Sequence, residues 1–140
     1  MPTRIIHTTL RALVLLNGVY DLVCFAAIMW LPWLPGFSSF HLGVLRDEED
    51  RRHPLVRRLL AYWILTYGTV RVLCGVLDHE SYAMDCAAAM TYAIEVFGFE
   101  YELCSEGTMV RSKVTAITLM SLPIATALFV IRPLEEASAH

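Results

Sequence analysis

The 140 residues are 56% hydrophobic and 18% charged, with a mean hydropathy of +0.52, against roughly 45–50% apolar and 25% charged in soluble domains; lipid is the simplest solvent for that excess. A net charge of −3 and a pI near 5.9 exclude the basic stripe that neutralises phosphates, so no nucleic-acid partner is expected. The length suits one domain. Cys24, Cys74, Cys86 and Cys104 stand singly in apolar runs without a C-x-x-C pair, which reads as buried free thiols and not as a zinc knuckle or disulfide framework.

In chain order, Arg4 and Arg11 precede an apolar run over 12–31 that contains Asn17 and Asp21 and ends in Trp30-Leu31-Pro32-Trp33. It lacks a small-residue cleavage site and is long enough to span, so it reads as a retained helix and not as a signal peptide. The segment 32–54 is the longest non-spanning piece. Its Phe37, Phe40 and Val44 suit either an interfacial helix or an ordered loop without lipid contact, with Trp30, Trp33, Tyr62 and Trp63 as belt anchors. The mixed charges over 46–58 form either a solvated, self-paired stretch or, through Arg51 and Arg52, a docking surface for a partner.

The second span covers 58–77. Gly68, Arg71 and Gly75 share one face of it, so another helix approaches closely there and Arg71 points into the contact. Asp78-His79-Glu80 then makes a tight turn whose consecutive side chains diverge, which favours a solvated turn over a metal site. The third span, 81–103, holds Asp85, Glu95, Glu100 and Glu102 among its apolar residues, a cost that a buried bundle face permits. The fourth, 114–131, is kinked by Pro123 near Leu119 and closed by Arg132-Pro133, leaving a short polar tail over 134–140. Each span approaches the ~20 residues that a ~30 Å bilayer core demands. The expected fold is all-α, an integral membrane four-helix bundle without internal repeats or linkers.

Arg46, Arg51, Arg52, Arg57, Arg58, Arg111 and Lys113 gather on the face of the first and third loops, against Arg4, Arg11 and Arg132 opposite. Both termini are therefore expected away from the cytosol or matrix.

An ionisable residue inside a span costs ~2.5–3.5 kcal/mol at the bilayer centre, so each one is a functional candidate. At ~1.5 Å per residue, Arg71 lies ~9 Å from the terminus-bearing face, Asp85 ~6 Å, Asp21 ~14 Å and Glu95 ~21 Å. The expected intramembrane ion pair or triad is therefore Arg71 with Asp85 or Asp21, a device that sets helix register or, less simply, relays protons. Glu95 and Glu102, seven residues apart, share a face and leave acid in excess. Glu95 is then protonated, hydrogen-bonded to a polar neighbour, or matched by a cation of a partner protein.

The chain carries no G-x-S-x-G, G-x-G-x-x-G, P-loop or H-E-x-x-H motif, and Glu100 and Glu102 alternate across their helix instead of forming a dyad. The expectation is no enzyme, no cofactor and no bound metal.

The stretch from Arg57 through Trp63 to Arg71, then Asp78-His79, Tyr82, Thr91-Tyr92, Glu102-Leu103 and Gly107-Thr108, with Leu10-Arg11 ahead of the first span, resembles the ergosterol biosynthetic protein twenty-eight family. The resemblance covers about two thirds of the chain. It implies a small four-helix membrane protein that tethers the sterol C4-demethylation enzymes in the endoplasmic reticulum. Departures are about three extra residues between Tyr82 and Thr91, Gly98 where the family tends to have His, unexpected Glu95 and Glu100, and a tail, Ala137-Ser138-Ala139-His140, without a dilysine-like retrieval signal. The leading expectation is a non-catalytic scaffold or accessory subunit whose partners are other membrane proteins and lipid. Its alternatives are a supernumerary subunit of a respiratory or similar complex in the mitochondrial inner membrane, and a small carrier or proton-conducting protein using Asp21, Arg71, Asp85 and Glu95.

Overall fold

A computed structural model describes residues 2–31, 34–77 and 81–138. It is all-α: α1 (Pro2–Met29), α2 (Pro35–Leu42), α3 (Glu48–Arg52), α4 (Pro54–Val76), α5 (Tyr82–Tyr101), a π-helical turn (Glu102–Glu106) and α6 (Arg111–Ser138). Three of these contain stretches long and apolar enough to cross a membrane: Ile5–Met29, Pro54–Val76 and Arg111–Ile131. The 20-residue α5 is not among them, because Asp85, Glu95 and Glu100 dilute its apolar residues.

The four long helices pack side by side with sequence neighbours antiparallel. Along α1 and α4, Arg11 reaches the Cys74 and Leu77 carbonyls while Arg57 reaches the Ile28 carbonyl. Along α5 and α6, Tyr82 meets Phe129 and Glu100 meets Thr118. Glycine sets the spacing of the first pair. A Cβ on Gly18 would stand 2.8 Å from the Val72 nitrogen and 2.9 Å from the Gly68 oxygen, and one on Gly75 would overlap Leu15. The small face read at Gly68 and Gly75 is thus the seat of α1.

Two elements run past their expected limits. α1 begins ten residues before the predicted span, which carries His7 and Arg11 into the packed interior. α6 does not stop at Arg132-Pro133 but continues through both prolines to Ser138. Pro133 has no N–H for the Phe129 carbonyl one turn back, and the Tyr82 hydroxyl donates to that oxygen instead, at 3.4 Å.

The first long loop contains a short helix, α2, and returns to the bundle. α2 folds back against α1, setting Phe37, Phe40 and His41 around the Tyr20 ring with centroids 5.9, 6.5 and 6.1 Å away. The loop then pairs with the one after α5: the Arg46 N–H donates to the Thr108 carbonyl at 2.7 Å and the Val110 N–H to the Val44 carbonyl at 2.8 Å. Val44, Phe99, Met109, Val114 and Ile117 are buried beneath this junction. Gly107, at φ 66°, takes the left-handed conformation that ends the π-helical turn and aims the chain into it. Trp33 and Asp78-His79-Glu80 lie outside the described residues. All four cysteines are free, but only Cys24 and Cys74 are buried. Cys104, on the π-helical turn, is exposed, contrary to the reading of every thiol as core.

Candidate functional site

Arg71, on the close-packed face of α4, is 1% exposed and forms the centre of a closed cluster. Its Nη1 donates to Asp21 Oδ2 of α1 at 2.8 Å, its Nη2 to Glu95 Oε2 of α5 at 2.6 Å, and its Nε to Thr91 Oγ1 at 3.1 Å. The guanidinium is also held between two rings, 4.4 Å from the Tyr67 centroid and 3.7 Å from that of Tyr92, a geometry in which a desolvated cation gains on both faces. Asn17 donates to the Tyr92 hydroxyl at 3.1 Å, so three helices contribute to one network. Two carboxyls, one fork and two rings give three-way registry, and each charge has its counter-group at hydrogen-bond distance.

Asp85 is not part of this cluster, and Glu95 is not left for another chain. Both outcomes correct the depth argument, which compared backbone heights alone. Helical side chains lean toward the N-terminus of their own helix. In the antiparallel pair α4 and α5, Arg71 therefore leans away from the connecting turn while Glu95 leans toward it, and the two converge. Asp85 leans toward the turn as well, so it diverges from Arg71.

Asp85 instead sits in a second buried cluster at the opposite end of α5. Its Oδ2 lies 3.0 Å from His7 Nε2, its Oδ1 3.6 Å from Arg11 Nη1 and 3.5 Å from the Cys74 sulfur. The apolar pattern did not single out His7, and Arg11 stood only among the charges of the terminus-bearing face. Their spacing of four was the available signal, since it places both on one face of α1.

His41 joins the Arg71 cluster from α2, its Nε2 3.8 Å from Asp21 Oδ1. The nearby carboxylate would favour a charged imidazole, but Asp21 is already committed to Arg71. Burial, reinforced by the Arg71 cation, holds the His41 pKa down at about 4. The unfolded chain therefore binds more protons than the folded one between about pH 6.5 and 4. The stability this neutral His contributes is present above the unfolded value and is lost as pH falls toward the folded one. At about 1.4 kcal/mol per unit, up to about 3 kcal/mol disappears. Unfolding curves in detergent at pH 7 and pH 4.5 are expected to show a smaller acid loss for His41→Gln than for the natural chain. Equal losses would remove His41 from the account.

The other two acids of the third predicted span find partners nearby. Thr108 donates to Glu102 Oε2 at 2.7 Å and Thr118 to Glu100 Oε1 at 2.7 Å. Because the helix widens to π winding at Glu102, Glu102 does not continue the Glu95 face. Arg51 donates to the Leu45 and Arg46 carbonyls at 2.8 and 2.9 Å, and Arg52 pairs with Glu48 on the surface. Among the described residues no group of three or more His, Cys, Asp or Glu is placed to hold a metal.

A groove of about 1000 Å³ runs along the seam of α4 and α5, walled by Leu59, Leu60, Trp63, Ile94, Phe97 and Gly98, and its mouth at the loop end carries Asp50, Glu102 and Thr108. A recess of about 340 Å³ between Trp63, Tyr67 and Thr91 extends it toward the Arg71 cluster. Neither is lined by Asp21, Arg71 or Glu95, so the members of the Arg71 cluster do not face either space. Compared with protein-family models, with curated proteins and with solved structures, the chain finds no match.

Proposed function

We propose that the chain is an integral membrane four-helix bundle acting as a non-catalytic scaffold or accessory subunit, with α5 as the fourth span. The inward turn of its acids supports that span: Asp85 is fully buried and Glu95 5% exposed, while Met90, Ile94, Phe97 and Tyr101 form the outer face. The observation that carries the function is the α4–α5 groove. Its occupant in this reading is a transmembrane helix of another protein, apolar along its length and basic where it leaves the membrane. The apolar walls suit such a helix, and Asp50 and Glu102 at the mouth complement the Lys and Arg that helices place at this face. The resemblance to the sterol-complex tether family points the same way and names the endoplasmic reticulum as compartment.

A photo-crosslinking residue in place of Phe97, which is 81% exposed, tests this in native membranes. The expected product is a discrete adduct with one integral membrane protein, reduced when Asp50 and Glu102 are both neutralised. Recovery of a sterol-modifying enzyme would support the tether reading, recovery of respiratory subunits the mitochondrial one. Adducts with lipid alone would overturn both.

One observation favours a second reading, proton conduction: His41, Asp21, Arg71 and Glu95 are contiguous ionisable groups. In reconstituted liposomes it requires a flux that Glu95→Gln abolishes.

A further inference from the structure

A separate cavity, smaller than the α4–α5 groove, lies at the loop end of the bundle, between the last turn of α1 and the first turns of α4. It measures about 360 Å³ and is lined by Ile28, Met29, Arg52, Pro54, Arg57 and Arg58. Unlike the α4–α5 groove, it combines an apolar floor with three guanidiniums. Arg57 is fixed over the end of α1 by donating from Nη2 to the Ile28 carbonyl at 3.2 Å. That uses one of its five N–H donors. Arg58 makes no hydrogen bond or ion pair among the described residues. Arg52 is engaged only by Glu48, in a pair whose side chains are 78% and 71% exposed, an arrangement of little energetic weight.

The neighbouring acids do not cancel this charge. Glu48 pairs with Arg52, Asp50 lines the mouth of the other groove, and Asp47 and Glu49 line neither space, so Arg57 and Arg58 have no acid partner among the described residues. The N-terminus of α4 adds its dipole in the same sense. The cavity also sits on the face where Lys and Arg concentrate, the side on which bilayers carry their anionic lipid.

We propose that this cavity binds the phosphate of an anionic phospholipid, with Arg57 and Arg58 as the ligating side chains, Arg52 as a third, and Ile28 and Met29 against the glycerol and upper acyl carbons. Guanidinium forks suit a phosphate better than single ammonium charges do, through paired N–H donation. The site rests on the membrane reading above and is independent of the α4–α5 groove.

The test uses the full chain, purified in detergent after resistance to alkaline extraction has established that it was inserted in the membrane. Extraction at that step would overturn the membrane reading itself. Short-chain phosphatidic acid, phosphatidylcholine of equal chain length, and inorganic phosphate are titrated separately while the thermal midpoint is followed. Phosphatidic acid is expected to raise the midpoint saturably and phosphatidylcholine to leave it unchanged. Arg58→Gln, which breaks no hydrogen bond or ion pair among the described residues, is expected to weaken the apparent affinity about fivefold, and Arg57→Gln/Arg58→Gln about 25-fold, from the ~1 kcal/mol that each basic residue gains at an anionic surface. Arg111→Gln, on the same face but outside the cavity, serves as control and retains the response. Equal weakening in the control would reduce the effect to general surface charge and overturn the site. An equal midpoint shift with inorganic phosphate would assign the cavity to free phosphate and overturn the lipid.

Discussion

Replacing Arg71 with methionine is expected to cost about 3–5 kcal/mol of stability, the usual consequence of removing one partner from a buried ionic cluster. The loss comes less from the interactions given up than from what remains. Asp21 and Glu95, 3% and 5% exposed, would be left as two buried carboxyls facing each other without a cation, and the Tyr67 and Tyr92 rings would lose the plane they hold. Arg71→Lys is expected to recover only part of the loss, since a single ammonium cannot meet Asp21 and Glu95 on separate arms while stacking between two rings. Neutralising all three members, as Asp21→Asn, Arg71→Met and Glu95→Gln, is expected to restore most of the stability, because no charge is then stranded. Thermal unfolding in one detergent, followed by tryptophan fluorescence, measures all three. An Arg71→Met variant as stable as the natural chain would mean that the cluster is open to water.

The second large effect is expected at the α1–α4 contact. Gly18→Val places a side chain where backbone atoms already stand, with the Val72 nitrogen and Gly68 oxygen within 3 Å of the first added carbon. A flexible neighbour could yield, but two helix backbones cannot, so α1 and α4 must separate. Overpacking of this kind costs about 1–3 kcal/mol or more, and separation also draws Asp21 away from Arg71, so the two losses are expected to compound. Gly75→Val acts against Leu15 in the same way. Two other glycines calibrate the result. Gly98→Ala meets only the Trp63 side chain, at 3.3 Å, and Gly36→Ala meets nothing within 4 Å. Their midpoints are expected to fall little. If Gly18→Val behaved like Gly36→Ala, the helices would not be in the contact described.

These residues also show how far the chain could be read before its structure. Helix positions were legible because they depend on local hydropathy, and the face carrying Gly68, Arg71 and Gly75 was legible because it depends only on helical spacing. Asp21 could be named as an acid for Arg71 by depth. Choosing between Asp85 and Glu95 required the direction in which side chains lean within an antiparallel pair, a vector that a count of residues per ångström omits. The roles of His7 and Arg11 were hidden because α1 extends beyond its apolar run, where hydropathy carries no further signal. His41 was hidden because the fold-back of α2 toward Tyr20 and Asp21 depends on a loop path that no periodicity encodes. Thr108 and Thr118 settle Glu102 and Glu100 from other parts of the chain, and a hydroxyl does not announce its acceptor.

The sequence by itself determined an all-α chain of long apolar helices, the close-packed face of α4 and the need of Arg71 for buried acid, since each follows from composition or from a period of 3.6; of the four spans it suggested, three are long and apolar enough to cross a membrane. Only the tertiary structure decided which acids answer which bases, that the first loop returns to the bundle, and that a groove and a basic cavity open at different seams. Those outcomes depend on distances between residues far apart in sequence, and such distances are set by helix pairing, crossing and side-chain direction together.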